Sequence, residues 1–209
     1  MTLPFGVIIA GGAGQRLGGV RKAELRLGGV RLLERVAEAF GPVAAPLLVA
    51  TGPYRVPPQL PGGALAVADL PTPLGGPLAG LAAAVAALQQ RGVKSGVLVS
   101  APVDTPLLPR GFAQHMATGL GGANAVFACH GQDFYPPVAA FRLEALQGLP
   151  GEVLAGEGPG SLRALHLCLG AQPLYWPAEK LNPFSNINTL GELLALEKQV
   201  AGDNSPQKS

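Results

Sequence analysis

The fold of this chain is decided by one stretch near its amino terminus, Val7-Ile8-Ile9-Ala10-Gly11-Gly12-Ala13-Gly14-Gln15-Arg16-Leu17-Gly18-Gly19-Val20-Arg21-Lys22. The apolar run around its start, residues 5–10, is too short for a typical helix and predicts a strand buried on both faces of a parallel sheet. The loop that follows holds five glycines, which let backbone N–H groups come close to an anion. Arg16, Arg21 and Lys22 add cations that suit phosphate oxygens. The stretch therefore predicts a polyphosphate-binding loop.

Two familiar phosphate loops are excluded by spacing. A Walker A loop, G-x-x-x-x-G-K-[ST], has a glycine directly before its lysine, but here Gly19 is three residues before Lys22 and Ala23 replaces the hydroxyl. The dinucleotide fingerprint G-x-G-x-x-G could begin at Gly12, but Leu17 takes the place of its third glycine. The alternative is that this loop is only a loose connection in a chain with 30 glycines.

Composition predicts one large globular domain. The chain has 209 residues, a formal charge of +2 and only 13% charged residues, so it has no broad basic field for nucleic acid and must bind anions locally. Cys129 and Cys168 are far apart, and we expect both to pack as small apolar residues. His115, His130 and His166 lack the spacing of zinc ligands.

The amino terminus has no cationic segment ahead of its apolar run, so we do not expect a signal peptide. The longest apolar stretch, residues 78–88, is much shorter than a membrane span and rich in alanine, which suits a helix packed on a sheet. The sequence therefore predicts no membrane association and a cytoplasmic location.

Strand and helix patterns alternate along the chain. Predicted strands cover residues 5–10, 46–51, 64–68, 97–101, 125–129, 137–141 and 174–176. Predicted helices cover residues 32–40, 78–90, 110–118, a segment capped by Ser161 and running to about 169, and 190–200. The strand at 137–141 is bordered by proline and is expected near a sheet edge. This order predicts a single-domain, Rossmann-like α/β three-layer sandwich over residues 1–200, with a mostly parallel central sheet and helices on both faces. Residues 201–209 are polar and predict a disordered tail.

Open sheets of this kind bind ligands beyond the carboxyl ends of their strands. The chain has only four aspartates, and Asp69 and Asp104 both follow predicted parallel strands. Asp104 is the best candidate ligand for Mg²⁺, because a nucleotide-bound Mg²⁺ needs only one or two protein carboxylates. The alternative is that Asp104 caps a helix after Pro106 or Pro109. Asp69 could bind ribose or base, support the metal site indirectly, or cap the turn at Pro71.

These parts suit phosphoryl-type transfer by electrostatics. A phosphate monoester is nearly dianionic at pH 7, since its second pKa is about 6, so its oxygen needs no general base. The glycine loop offers none, since it has neither histidine nor carboxylate. Lys22, Arg16, the loop amides and Mg²⁺ on Asp104 would neutralise the α-phosphate and the departing pyrophosphate.

The run A-G-G-x-x-x-R-(L/M)-G-G-x-x-K resembles the opening motif of nucleotidyltransferases. Later segments make the chain similar to the molybdenum cofactor guanylyltransferases, the MobA family, from about residue 6 to residue 198. These segments, in the family's order, are Gly76-Pro77-Leu78-Ala79-Gly80, Ala101-Pro102-Val103-Asp104-Thr105-Pro106, Tyr135-Pro136-Pro137-Val138-Ala139 and Phe184-Ser185-Asn186-Ile187-Asn188-Thr189.

The resemblance implies the reactants and some partners. GTP would donate GMP, molybdopterin or Mo-molybdopterin would accept it, and molybdopterin guanine dinucleotide and pyrophosphate would be the products. Other proteins of molybdenum cofactor biosynthesis and molybdoenzyme chaperones are the expected protein partners.

The resemblance also implies site residues. It assigns the nucleotide to Ile9, Ala10, Gly11, Gly12, Lys22, Asp69 and Asp104, with the first three facing guanine and Asp104 on magnesium. It assigns the acceptor to Asn186 and Asn188, for which the alternative is a plain turn before a helix.

Two departures from the family pattern stand out. Arg21 replaces a residue that is commonly acidic, and Ala50-Thr51-Gly52 stands where the family tends to have an asparagine. One nucleotide contact there is therefore expected either to be missing or to be remade by the Thr51 hydroxyl. Rival functions are a cytidylyltransferase for the same acceptor, a sugar-phosphate nucleotidyltransferase, and a nucleotide-binding accessory protein without catalysis. The Gly11-Gly12 pair looks more like the guanylyl form, and the intact Arg16, Lys22 and Asp104 argue against the accessory protein.

Overall fold

The computed structural model describes residues 2–11, 20–52, 58–177 and 181–203. Within these residues nine strands form: β1 Phe5–Ile9, β2 Arg26–Leu27, β3 Val30–Arg31, β4 Ala44–Ala50, β5 Leu65–Val67, β6 Val97–Pro102, β7 Ala125–His130, β8 Asp133–Arg142 and β9 Gln172–Tyr175. The α-helices are α1 Leu32–Phe40, α2 Pro77–Gln90, α3 Phe112–Gly119, α4 Leu149–Ala155, α5 Leu162–Cys168 and α6 Leu190–Asp203. Short 3₁₀ turns cover Lys22–Glu24 and Leu143–Leu146.

The central sheet has the order β5-β4-β1-β6-β8-β7-β9. Strands β5, β4, β1 and β6 are parallel, β8 is antiparallel to both of its neighbours, and β9 is parallel to β7. Strands β2 and β3 form a separate hairpin, whose turn residues Gly28 and Gly29 both have positive φ. Four adjacent parallel strands thus end at one edge of the sheet, where ligands bind in open α/β folds.

Helices cover both faces of the sheet, as the sequence predicted. Along β1, Ile8 packs into the core shared with α1, α3 and α6, whereas Val7 and Ile9 pack into the core shared with α2, α4 and α5. This alternation follows from the two-residue period of a strand, and both faces are apolar because helices cover both. The single-domain, three-layer α/β prediction is confirmed.

The predicted edge position of the strand around Pro137 is wrong. This strand is β8, ten residues long, and it lies between β6 and β7. Its ladder with β7 passes from Ala139 directly to Tyr135, so Pro136 and Pro137 fall in an irregularity where no backbone N–H is required. The hydroxyl of Ser100 on β6 donates to the Pro137 carbonyl oxygen at 2.8 Å, which satisfies that acceptor.

Other differences concern element boundaries. The sequence did not predict α4, because Pro150 and Gly151 have low helix propensity. It also did not predict the β2–β3 hairpin. The predicted cap is confirmed, since the Ser161 hydroxyl accepts the Ala164 N–H at 3.1 Å. Helix α6 continues to Asp203, so the predicted end at residue 200 is three residues short. Of the predicted tail, residues 204–209 lie outside the described part of the chain.

Candidate active site

The carboxyl ends of β1 and β6 meet beneath a small cavity. The backbone continues the parallel pairing past β1, because the Ala10 N–H donates to the Ala50 carbonyl at 2.7 Å and the Val103 N–H donates to the Ile9 carbonyl at 3.0 Å. The cavity has a volume of about 140 Å³ and is lined by Ile9, Ala10, Gly11, Lys22, Pro77, Pro102, Val103 and Asp104. Five of the predicted site residues therefore come together around one cavity.

Lys22 and Asp104 form an ion pair at this cavity. The Nζ atom of Lys22 lies 2.5 Å from Oδ2 of Asp104, and the two side chains are 18% and 14% exposed. The same Nζ donates to Oδ1 of Asn188 at 2.8 Å. The other carboxylate oxygen, Oδ1 of Asp104, is buried and has no hydrogen-bond partner among the described residues. The pair thus combines a fixed cation with an oxygen that is available for a further ligand.

Backbone contacts fix Asp104 just beyond β6. The buried Thr105 hydroxyl donates to the Pro102 carbonyl at 2.8 Å, and the Asp104 carbonyl accepts the Ile187 N–H at 2.9 Å. The next helix, α3, begins only at Phe112 and has Gly111 as its N-cap. Asp104 therefore does not cap a helix, and the alternative that the sequence left open is wrong.

The asparagine pair reaches the site from the carboxyl-terminal segment. Phe184 and Ile187 are fully or almost fully buried and anchor that segment, while Asn186 and Asn188 are exposed. Both asparagines line a second cavity of about 470 Å³. Asn188, which lines this second cavity, also accepts a hydrogen bond from Lys22, which lines the first.

Asp69 follows β5 and lies beside Gly52, which follows β4. Its N–H donates to the Gly52 carbonyl at 3.2 Å, and burial raises the pKa of its carboxyl, opposed by a hydrogen bond from the Gly52 backbone. A Cβ placed on Gly11 would lie 2.7 Å from the Gly52 Cα, so only glycine allows this approach. Asp69 does not line the Lys22 cavity. The Pro71 turn is held instead by the Thr72 hydroxyl, which accepts the Leu74 N–H at 3.1 Å.

The proposed use of the Thr51 hydroxyl in nucleotide binding is not what the structure shows. Thr51 is 3% exposed, and its hydroxyl donates to the Val67 carbonyl inside the sheet at 3.3 Å. This side chain stabilises the pairing of β4 with β5. The contact that the family places here is not remade by Thr51.

The structure also bears on the loop residues, the cysteines and the metal-binding and membrane-spanning features considered from the sequence. Gly12 and Arg16 lie outside the described residues. Both cysteines are free, but only Cys129 is buried; Cys168 ends α5 and is exposed, so its predicted burial is wrong. In the described part of the chain, three or more His, Cys, Asp or Glu side chains nowhere gather into a metal-binding group. No helix in the described ranges has the length and apolar character needed to cross a membrane.

One residue near the site was missed at the sequence level. Glu192, in the first turn of α6, accepts the N–H groups of Asn188 and Thr189 at 2.6 and 3.1 Å. The motif Thr189-Leu190-Gly191-Glu192 matches a capping box, T-x-x-E, and would have predicted these contacts.

Comparison with known proteins shows the family of this chain. The family model of the MobA-like NTP transferase domain matches residues 6–179, which is most of the chain. The chain belongs to this family. The match includes both ends of the Lys22–Asp104 pair, whereas Asn186, Asn188 and Glu192 lie beyond its carboxyl-terminal limit.

Curated relatives in the family extend the similarity to nearly the full length. The molybdenum cofactor guanylyltransferase of Acidiphilium cryptum is 37% identical over 198 residues, which cover 91% of this chain and 92% of the relative. The molybdenum cofactor guanylyltransferase of Cereibacter sphaeroides is 35% identical over 203 residues, which cover 95% and 98%. These alignments therefore extend past the family model into the carboxyl-terminal segment.

Solved structures support the fold. The molybdopterin-guanine dinucleotide biosynthesis protein A of Archaeoglobus fulgidus has a TM-score of 0.67 and 24% identity, covering 94% of this chain and 98% of that one. The nucleotidyl transferase of Methanothermobacter thermautotrophicus has a TM-score of 0.70 and 19% identity, covering 98% and 100%. At these identities the comparison concerns the MobA-like fold alone.

Proposed function

We propose that this chain transfers GMP from GTP to the phosphate of molybdopterin or Mo-molybdopterin and forms molybdopterin guanine dinucleotide and pyrophosphate. The observation that carries the proposal is the cluster of Lys22, Asp104 and Asn188 beyond β1 and β6, because it places a fixed cation and a carboxylate at the edge where such sheets bind nucleotides. Family membership and the names of the relatives support the same reaction.

The reaction requires positioning and neutralisation of charge. A phosphate oxygen of the acceptor forms a bond to the α-phosphorus of GTP, and the bond from that phosphorus to the bridging oxygen breaks as pyrophosphate leaves. Negative charge accumulates on the leaving group, and Lys22 would stabilise it. Arg16 and the amide of Gly12 would also help to neutralise the phosphates, and this part of the proposal rests on the sequence alone.

Asp104 would hold Mg²⁺ together with the triphosphate. Its buried, unpartnered Oδ1 fits this role, because a nucleotide-bound Mg²⁺ takes one or two carboxylates and completes its shell with phosphate oxygens and water. When bound, the ion would supply further neutralisation of the phosphates. Since Oδ2 pairs with Lys22, one carboxylate would align the ion and the ammonium group on the same phosphates.

The nucleotide and the acceptor would occupy two cavities whose linings are joined by the Lys22–Asn188 hydrogen bond. Ile9, Ala10 and Gly11 would contact guanine, and Asp69 would contact the nucleotide from the flank beside Gly52. The larger cavity lined by Asn186 and Asn188 would take the acceptor. This arrangement would bring the acceptor phosphate toward Lys22.

A panel of substrates tests the proposal. The purified chain is incubated with Mg²⁺ and GTP, CTP, ATP or UTP, each with and without molybdopterin, and pyrophosphate release is measured. We expect release only with GTP and molybdopterin together. A preference for CTP would support the cytidylyltransferase alternative, and release with a sugar phosphate but not with molybdopterin would support the other enzyme class. Binding of GTP without any release would indicate the accessory protein.

The protein partners expected from the sequence, namely cofactor biosynthesis proteins and molybdoenzyme chaperones, remain predictions, as does the cytoplasmic location.

A further inference from the structure

The start of α6 is fixed by a closed set of hydrogen bonds. The Glu192 carboxylate accepts the N–H groups of Asn188 and Thr189, and the Thr189 hydroxyl accepts the Glu192 N–H at 3.2 Å. Such a capping box satisfies helix N-terminal donors that would otherwise lack partners. It also holds the backbone of Asn188 in one conformation, although Asn188 itself is outside the helix.

Asn188 is held from its other side as well. The preceding residue, Ile187, is 2% exposed, and its N–H donates to the Asp104 carbonyl at 2.9 Å. With its backbone fixed on both sides, Asn188 presents Oδ1 to Lys22 Nζ at 2.8 Å. Lys22 is thereby held between Asp104 and Asn188.

We propose that Glu192 is a positioning residue for nucleotidyl transfer, which acts through Asn188 to fix the ammonium group of Lys22. The inference rests on the function proposed above, since Lys22 acts there on the phosphates. A lysine side chain is a point charge on a flexible four-carbon stem, so its place depends on its acceptors. Small displacements of a charged group at a reacting phosphate reduce the rate strongly.

Charge supports the same arrangement. The N–H of Asn188 is the main cause that lowers the pKa of the Glu192 carboxyl; Thr189 and the positive charge of Lys22 lower it further, and partial burial opposes them. The carboxylate thus stays ionised as an acceptor for the segment that it would position.

The first test is kinetic and uses a matched control on the same helix. Glu197 also accepts a backbone N–H, that of Gly28 at 3.3 Å, but it does not contact the Asn188 segment. We expect Glu192→Ala to lower kcat/KM for GTP about tenfold and Glu197→Ala less than about twofold. Glu192→Gln keeps an acceptor oxygen and should lose about twofold. A Gln variant as poor as the Ala variant would contradict the positioning role, because charge alone would then explain the loss.

A double-mutant cycle tests the route through Asn188. If Glu192 acts only by holding Asn188, Glu192→Ala should cause no further loss in an Asn188→Ala background. Losses that multiply would overturn the inference, because they would show that Glu192 acts independently of Asn188.

A second readout needs no catalysis. In the protein without substrates, the rate of Lys22 acetylation is measured by mass spectrometry, with exposed Lys94 as the internal reference. We expect Glu192→Ala and Asn188→Ala to raise Lys22 labelling several-fold and to leave Lys94 unchanged, whereas Glu197→Ala changes neither. If the chain transfers no GMP but the variants still alter Lys22 labelling, the proposed function is refuted and the positioning of Lys22 by Glu192 is supported. An active chain with unchanged Lys22 labelling would refute the positioning role alone. If Glu192→Ala fails to fold by circular dichroism, the comparison moves to Glu192→Gln, whose small loss of positioning should raise Lys22 labelling about twofold, in step with its kinetic loss. Unchanged Lys22 labelling in that variant would overturn the positioning role.

Discussion

Lys22 is the residue on which the proposed chemistry depends most. Among the described residues its ammonium group has two acceptors, Asp104 and Asn188, contributed by segments that are 82 and 166 residues away along the chain. The sequence predicted Lys22 and Asp104 from a glycine loop and a strand end, because both positions follow short apolar runs. It could not predict their direct ion pair, since no local pattern records which side chains meet across a sheet edge.

Lys22→Ala should lower turnover by about a hundredfold or more, because it removes the charge that stabilises the transferring phosphates. Pyrophosphate release by the purified variant measures this, with circular dichroism to show that it is folded. Lys94→Ala, at an exposed lysine, is the control and should retain full activity. Near-normal turnover of Lys22→Ala would remove Lys22 from the mechanism.

Asp104→Asn should abolish magnesium-dependent turnover while it keeps the shape of the side chain. The amide cannot supply the anionic oxygen that Mg²⁺ prefers, and it also loses the ion pair with Lys22. A magnesium titration of the rate, in wild type and variant, is the measurement. Titration curves that overlay would show that Asp104 is not a metal ligand.

Among the elements, the carboxyl-terminal segment contributes more contacts to the site than its sequence predicted. Family resemblance assigned Asn186 and Asn188 to the acceptor. Two asparagines that flank a single isoleucine are also compatible with a plain turn before a helix. In the structure Ile187 is buried and both asparagines are exposed beside one cavity. Asn188 additionally contacts Lys22, so the two residues should differ in function.

Asn186→Ala should weaken molybdopterin binding about fivefold and leave GTP affinity unchanged, since it removes a neutral hydrogen bond of about 1 kcal/mol at the acceptor cavity. Asn188→Ala should weaken both ligands, because it also releases Lys22. Calorimetric titration of each ligand separately measures the difference. If Asn186→Ala loses GTP and keeps molybdopterin, the assignment of the two cavities is reversed.

Helix α1 depends on an ionic contact that should make stability depend on pH. Arg31 is 5% exposed and donates to Glu34 at 2.7 Å, which lowers the pKa of the Glu34 carboxyl; the Arg31 N–H adds to this effect. A carboxyl with a lowered folded-state pKa stabilises above its unfolded pKa, and the contribution disappears as pH falls through the folded value.

Glu34→Gln should therefore lower the free energy of unfolding at neutral pH and have no effect at pH values below the folded pKa of Glu34. Urea unfolding across the acidic range measures this. Glu38→Gln is the control on the same helix, because the Glu38 pair with Arg110 is largely exposed and its loss should change stability little. A pH-independent difference for Glu34→Gln would contradict the account.

For the whole molecule, the sequence predicted the fold class and most elements but not the full order of the sheet. Repeated strand and helix patterns predicted a mostly parallel sheet with helices on both faces, because strand-loop-helix units of this length are typical of such sheets. The place of β8 could not be predicted: Pro136 and Pro137 indicate an edge locally, whereas the interior position depends on a register irregularity formed with β7. Long-range pairing of this kind has no local pattern.

For the molecule as a whole, one edge of the sheet would bring the donor and the acceptor together for a single transfer. The most direct test of this account uses GTP labelled with ³²P at the α-phosphate, together with molybdopterin and Mg²⁺, followed by separation of the products. The account predicts that the label enters molybdopterin guanine dinucleotide in equal amount to the pyrophosphate released, and that Lys22→Ala reduces both. Label that stays in free GMP, or pyrophosphate released without a labelled dinucleotide, would contradict GMP transfer to molybdopterin.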